Sequence, residues 1–187
     1  MPRLGEFYAS VPHTLVEIRA EKTGLAIQES GVSCAIQYAE AGIVRKNVEL
    51  LFRSRLFPVC SQELMRTAPL AVPEDLRGHV LLHDRSPQEW EEYVQSSAPG
   101  LDINVHSGIM FSETALCMDA AARGQGVAIG DDFLAAKHLS EGRLMRPFDS
   151  YVLSRHAYYW VVPEGAPAHP SVKAFRTWLV ESVRSVG

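Results

Sequence analysis

The chain contains few cysteines, and they are far apart. Of its 187 residues only three are cysteine, Cys34, Cys60 and Cys117, and no two of them form a CxxC motif. An odd, widely spaced set of cysteines argues against a disulfide framework or a zinc site. We therefore expect three reduced, buried thiols and, with them, the reducing environment of the cytoplasm.

Long apolar runs and basic clusters are also missing. No stretch approaches the ~20 apolar residues of a membrane-spanning helix, and the first residues show no signal-peptide pattern. The formal net charge is −4, whereas a DNA-contacting domain usually carries a basic stripe. The nearest approach to such a stripe is the group Arg45, Lys46, Arg53 and Arg55. The sequence thus predicts a cytoplasmic protein without a membrane partner and without a DNA-binding surface of its own.

Motifs for catalysis, metal binding or a cofactor are absent as well. There is no HExxH motif, and residues 124–126 are too short for a phosphate-binding glycine loop. Residues 31–35 lack the second glycine of a nucleophile elbow. His83 and Asp84 are adjacent and could form an acid–base pair. However, neighbouring residues on a strand point to opposite faces of the sheet, which argues against such a pair. We expect no catalytic residue, metal or cofactor, and keep a small enzyme as an alternative.

What the chain does have is an alternation of strand and helix patterns. Apolar or alternating runs predict strands at residues 14–19, 33–38, 48–52, 56–60, 80–83, 103–106, 127–129 and 157–162. Capping residues and helical spacing predict helices at 2–10 and 23–30, from Ser61, Pro87, Ser112 and Pro170, and after Asp131 or Asp132. The order of these elements predicts α/β architecture with parallel strand pairing.

Short motifs follow one another in a definite order along almost the whole chain. They are Ser33–Tyr38, Phe57–Ser61, Leu76–His83, Ala121–Ile129, Gly142–Leu144, Tyr158–Pro163 and Phe175–Leu179. None is specific alone, but the ordered set resembles the effector-binding domain of LysR-type transcriptional regulators. The Leu-Leu-His and Ala-Ala-x-Gly-x-Gly pieces are most similar to the branch with glycine-cleavage and β-lactamase regulators.

This resemblance implies a two-lobed α/β fold like that of type 2 periplasmic binding proteins. Each lobe would hold a central mixed sheet, and a small-molecule effector would bind in the cleft between the lobes. One lobe would comprise residues 1–59 and 155–187, the other residues 60–154. The family's winged helix-turn-helix and first strand are absent from this sequence, so DNA would be contacted only through a domain outside it. A solute-binding protein of a transport system is the alternative with the same fold.

Strand ends and helix starts supply the candidate effector contacts, because free backbone N–H groups there favour anions. The candidates are Gln37, Tyr38, Cys60, Ser61, Met110, Phe111, Ser112 and Tyr159. Ser61 is equally well explained as a helix cap, and Tyr159 as a core residue. An anionic metabolite is one candidate effector.

The resemblance also implies a homodimer, formed side by side through the first helix and the second strand of each partner. The corresponding residues are Leu4, Phe7 and Tyr8 on the helix and Leu15, Glu17 and Arg19 on the strand.

Overall fold

The computed structural model describes residues 4–11, 15–19, 31–165 and 169–184 of the chain. The chain divides into two compact units, one made of residues 1–53 and 156–187 and the other of residues 54–155. The first unit is therefore discontinuous in sequence, and the second is inserted into it as one continuous segment.

The helices and strands alternate along most of the chain. In order they are α1 (Leu4–Ser10), β1 (Ala35–Glu40), β2 (Val48–Phe52), β3 (Arg55–Val59), α2 (Gln62–Thr67), a 3-10 helix (Pro73–Gly78), β4 (Leu81–Asp84), α3 (Gln88–Ser97), β5 (Ile109–Phe111), α4 (Thr114–Ala122), β6 (Val127–Asp131), α5 (Ala136–Ser140), β7 (Val152–Leu153), β8 (His156–Val161) and α6 (Pro170–Arg184). No helix in the described ranges is both long and apolar enough to cross a lipid bilayer.

The first unit contains an antiparallel sheet in which β8 lies between β1 and β2. Buried residues of β8, including Tyr159 and Val161, form a core cluster on one side. Trp160 contacts Phe175 of α6, with ring centroids 5.8 Å apart, and Phe175 contacts Phe7 of α1 at 5.0 Å. Aromatic packing thus joins both helices to β8.

The second unit contains a five-stranded mixed sheet in the order β5-β4-β6-β3-β7. β4 pairs in parallel with β5 and β6, whereas β3 runs antiparallel to β6 and β7. The α3 helix is fixed by buried Trp90, whose indole N–H donates to the carbonyl of Leu82 on β4 at 3.1 Å. Because β4, β5 and β6 are parallel, their carboxyl ends lie at one edge of the sheet, where α3 and α4 begin.

Two sequence predictions are wrong. Residues 15–19 belong to no strand, and the strand predicted at 103–106 lies instead at Ile109–Phe111. The Asn104 side chain accepts a hydrogen bond from the backbone of His106 at 3.0 Å, and its carbonyl accepts one from the Ser107 hydroxyl at 2.8 Å. These local bonds favour a turn, as asparagine side chains often do, and delay the strand.

The predicted helix start at Ser112 is also displaced. The N-cap position is Glu113, and no side-chain hydrogen bond caps α4. The helix predicted at residues 23–30 lies outside the described residues. The predicted lobe boundary at residues 59 and 60 differs from the observed one, because β3 pairs with β6 and β7 inside the second unit.

Candidate functional site

Gln37 and Tyr38, two predicted contacts in the first unit, lie next to each other on β1. Gln37 is half-buried and pairs with Tyr159, whereas Tyr38 is 45% exposed and lies opposite Tyr158. The Tyr38 ring lies 4.8 Å from that of Tyr158 and 5.1 Å from that of His156. Successive residues on a strand face opposite sides, so Gln37 and Tyr38 do not share one surface of the sheet.

The hydroxyl of Tyr159 is occupied by the turn that follows β1. It accepts hydrogen bonds from the backbone N–H groups of Gly42 at 2.9 Å and Ile43 at 3.2 Å, and donates to the carbonyl of Glu40 at 3.2 Å. The residue is 1% exposed. Its side chain thus satisfies three backbone groups of the first unit.

Cys60 and Ser61 follow β3 in the second unit, and both are buried. Cys60 exchanges backbone hydrogen bonds with Met145, and burial raises the pKa of its thiol to about 11. The Ser61 hydroxyl accepts from the backbone N–H of Leu64 at 3.0 Å and caps α2. The Ser61 side chain thus caps a helix of the second unit, and the Cys60 side chain belongs to the core of that unit.

The strand register separates these two residues from Met110, Phe111 and Ser112. Leu56 of β3 pairs with Asp131 at the end of β6, and Cys60 follows four residues later, about 13 Å along the strand. Phe111 instead pairs with Asp84 at the carboxyl end of β4. Cys60 and Ser61 therefore lie at the opposite edge of the sheet from Met110–Ser112. Met110 is 59% exposed, and Ser112 is exposed as well.

Asp84, at the carboxyl end of β4, organises the neighbouring loops. Its carboxylate accepts a hydrogen bond from the Thr114 hydroxyl and pairs with the guanidinium of Arg85, with 3.1 Å between Oδ1 and Nε. Arg85 has a φ of 62°, a left-handed conformation that is uncommon for residues with a side chain. Its N–H donates to the carbonyl of Phe111 at 2.8 Å, which ties the turn after β4 to β5.

The carboxyl group of Glu89 interacts with those of Asp84, Asp131 and Glu92. Burial, followed by the charges of Asp84, Asp131 and Glu92, raises the pKa of Glu89 to about 8. Burial raises the pKa of Asp131, although two backbone N–H groups donate to it at 2.8 and 2.6 Å. Glu92 accepts a hydrogen bond from the backbone N–H of Arg155 at 3.0 Å. We call the carboxyl groups of Asp84, Glu89, Glu92 and Asp131 the acidic edge.

No sequence motif indicates Glu89, Glu92 or Asp131 as site residues. The available signal was positional: Asp84 and Asp131 end parallel strands, and Glu89 lies in the first turn of the helix that follows β4. His83, the sequence neighbour of Asp84, is buried, and its Nε2 forms a hydrogen bond with the carbonyl of Ser107 at 2.9 Å. Within the described part of the chain, no group of three or more His, Cys, Asp or Glu residues has an arrangement that could hold a metal ion.

The predicted dimer residues differ widely in exposure. Phe7 is 2% exposed, because its ring packs against Phe175 and Trp178 of α6. Tyr8 is 52% exposed and Leu15 is 96% exposed. The other predicted residues are half-buried Leu4 and exposed Glu17 and Arg19, the last two joined by a 2.8 Å ion pair.

The fold is that of a regulatory ligand-binding domain, as comparison with known proteins shows. The chain overlays the effector domain of the transcriptional regulator AmpR of Pseudomonas aeruginosa with a TM-score of 0.80 at 25% identity, over 98% of this chain and 88% of that one. The AmpR effector-binding domain from Citrobacter freundii gives a TM-score of 0.81 at 23% identity, over 98% of this chain and 90% of that domain.

The sequence matches give the family. Residues 1–184 match the model of the LysR substrate binding domain, and the chain belongs to this family. The glycine cleavage system transcriptional activator of Escherichia coli (strain K12) is 36% identical over 182 residues, which cover 96% of this chain and 59% of that protein. The transcriptional regulator DsdC of the same strain is 29% identical, and that match covers 99% of this chain and 61% of DsdC. The chain thus spans less than two thirds of the length of these curated relatives.

Proposed function

We propose that this chain is the effector-sensing part of a bacterial LysR-type transcriptional regulator that acts in the cytoplasm. The family match over residues 1–184 carries this proposal. The two regulators named above support it, because each matches almost the whole of this chain. DNA would be bound through a separate domain of the whole protein.

In the second unit, we propose that Met110, Phe111 and Ser112 contact the effector. Ligands of open α/β sheets bind beyond the carboxyl ends of parallel strands, and β5 ends at Phe111. In the first unit, Gln37 and Tyr38 stay proposed contacts. The predictions for Cys60, Ser61 and Tyr159 are less favoured. Hydrogen bonds inside each unit already explain the side chains of Ser61 and Tyr159, and the Cys60 side chain is buried in the core of the second unit.

Such a sensor needs an effector that binds one conformation of the protein more tightly than another. An effector with equal affinity for both would not change their populations. The two alternatives, a solute-binding protein of a transport system and a small enzyme, are not favoured by any specific observation. The relatives are named as transcriptional regulators rather than as enzymes or transport proteins.

Thermal unfolding in the presence of amino acids, aromatic acids and cell-wall fragments tests the proposal. Because ligands that bind the folded state raise its unfolding temperature, we expect at least one of these classes to stabilise the chain. The Ser112→Ala variant should bind that compound more weakly, whereas Ser140→Ala, an exposed serine on α5, should bind it normally. The proposal would be contradicted if none of these compounds raised the unfolding temperature of the folded protein.

The proposed regulator also forms a homodimer. Tyr8 and Leu15 are the predicted contacts with the most exposed apolar surface, and they line one shallow depression together with Leu4 and Val16. Phe7 would support this surface from beneath, through its contacts with α6, rather than touch the partner.

A further inference from the structure

The turn that follows β4 has a strained backbone. The backbone N–H of Ser86 donates to the carbonyl of Asp84 at 2.7 Å, and Arg85 between them has a φ of 62°. A hydrogen bond from residue i+2 to residue i around a positive φ defines a γ-turn that is rare and strained. Among the described residues, Arg85 is the one residue other than glycine with a positive φ. Such strain persists only where the surrounding contacts maintain it, and it is concentrated at ligand-binding and active sites.

The backbone of this turn holds one end of the loop that joins β5 to α4. The N–H of Arg85 donates to the carbonyl of Phe111, the last residue of β5, at 2.8 Å. Thr114 is the first residue of α4. We call residues 111–114 the contact loop, because Phe111 and Ser112 are proposed effector contacts. The strained turn and the contact loop are thus joined by a direct backbone hydrogen bond.

The side chains of the turn hold the other end of the contact loop. The Thr114 hydroxyl donates to a carboxylate oxygen of Asp84. The guanidinium of Arg85 contacts both groups: its Nε lies 3.1 Å from Asp84 Oδ1, and its Nη2 lies 3.3 Å from Asp84 Oδ2 and 3.3 Å from Thr114 Oγ1. The contact loop is therefore attached to the turn at Phe111 and again at Thr114.

The carboxylate at the centre of this network is shielded from water. The side chain of Asp84 is 8% exposed, whereas that of Arg85 is 61% exposed. A shielded carboxylate that loses a hydrogen-bond donor is left partly unsatisfied at a cost in free energy. Asp84 therefore favours the conformation of the contact loop in which the Thr114 hydroxyl reaches it.

The start of α4 does not fix the contact loop by itself, because no side-chain hydrogen bond caps this helix. A mobile loop would have to be ordered when a ligand binds, and this ordering reduces the affinity. A loop that is already held in the free protein avoids that loss. The order of the contact loop thus depends on its hydrogen bonds to the turn after β4.

We propose that Asp84, Arg85 and Thr114 are positioning residues, which hold Phe111 and Ser112 in the conformation that binds the effector. This inference rests on the proposed sensing function. It adds residues that act through the contact loop rather than by touching the effector. The hydrogen bonds of these residues also maintain the strained conformation of Arg85.

Two substitutions at Thr114 test the role of its hydroxyl. Thr114→Val removes the hydroxyl with little change in shape, whereas Thr114→Ser keeps it. Nitrogen NMR relaxation of the protein without ligand should show greater picosecond-to-nanosecond motion of the Ser112 and Glu113 amides in Thr114→Val. The same amides should keep their order in Thr114→Ser.

Isothermal titration calorimetry of the same variants measures the effect on binding. The probes are L-alanine, benzoate and N-acetylglucosamine, together with any other member of the metabolite panel that stabilises the chain. A probe that binds the unmodified protein should bind Thr114→Val roughly tenfold more weakly, and Thr114→Ser about equally well. Urea unfolding is the control, because a purely structural role would lower the stability of Thr114→Val without changing the affinity of the folded protein.

The matched variants Arg85→Gly and Arg85→Ala test the strained backbone. Both remove the guanidinium, but glycine adopts a positive φ without strain and alanine does not. The backbone N–H at position 85, which donates to Phe111, should therefore exchange with solvent roughly tenfold faster in Arg85→Ala than in Arg85→Gly. Amide hydrogen exchange followed by NMR measures the difference.

Three results would overturn the assignment. They are an unchanged order of the contact loop in Thr114→Val, an unchanged affinity of this variant for a bound probe, and equal exchange at position 85 in the two Arg85 variants. If a probe binds the unmodified protein in these cases, only the positioning role fails and the sensing function stands. If neither the three probes nor the metabolite panel bind folded protein, both proposals fail.

Discussion

At the scale of single residues, the Glu89 carboxyl makes the stability of the fold depend on pH. Its pKa rises from an ordinary 4.5 to about 8 in the folded protein, so the folded state holds this proton more tightly than the unfolded chain. The contribution to stability is fully present below the unfolded pKa and is lost as the pH rises through about 8. We expect Glu89→Gln to lessen the fall in unfolding free energy between about pH 5 and about pH 8.5, measured by urea unfolding.

The control for this experiment is Glu74→Gln, an exposed glutamate on the 3-10 helix, which should keep the pH dependence of the unmodified protein. If Glu89→Gln follows the same curve as that control, the pKa of the Glu89 carboxyl is not raised in the folded protein.

Gly108 is a residue where the backbone admits no side chain. Its φ is 129°, and a Cβ atom added there would overlap the carbonyl of Leu81 and come within 3.0 Å of His83 Nε2. We expect Gly108→Ala to lower the free energy of unfolding by at least about 2 kcal/mol, because it combines backbone strain with a steric clash between β4 and β5. Urea unfolding measures the change.

A matched glycine shows whether the effect is local. Gly78 has open space around it and no positive φ, so Gly78→Ala should change the free energy of unfolding by no more than about 0.5 kcal/mol. Equal effects of the two substitutions would count against the described approach of Gly108 to β4.

At the scale of helices and strands, two serines with the same sequence signal behave differently. Ser61 and Ser112 both precede helices, but only Ser61 accepts a hydrogen bond from a helix N–H. We expect Ser61→Ala to lower the free energy of unfolding by about 1 kcal/mol. Ser112→Ala should leave it within about 0.5 kcal/mol, and chemical denaturation of both variants tests the pair.

These variants also separate structure from binding. If Ser112→Ala destabilises the protein as much as Ser61→Ala, Ser112 has a structural role that the fold does not reveal. Loss of effector binding in Ser112→Ala at normal stability would support its proposed contact.

At the scale of the whole molecule, the proposed dimer depends on exposed apolar side chains. Leu15 is 96% exposed, so an aspartate there costs the monomer little but places a charge in an interface that excludes water. We expect Leu15→Asp to shift the protein to monomers, as measured by sedimentation velocity. Val44→Asp is the control, because Val44 is 94% exposed but lies outside the predicted interface. Dimers of unchanged affinity in Leu15→Asp would exclude this interface.

The sequence predicted the alternation of elements better than their exact positions. Strands with continuous apolar runs, such as Val127–Asp131, lie close to where they were expected. The strand expected at 103–106 was misplaced, because a side-chain bond of Asn104 forms a turn that apolar periodicity does not reveal. For the candidate site, the sequence indicated residues 110–112 but not the acidic edge, whose members are far apart in the chain.

The sequence by itself determined the α/β class and the family, since local periodicity encodes the class and the ordered motifs encode the family. Only the tertiary structure decided that Ser61 and Ser112 lie at opposite edges of one sheet, and that Glu89 lies among three other carboxyl groups. Strand register and the approach of distant segments set such relations, and the pKa of a carboxyl depends on the charges and burial that those approaches create.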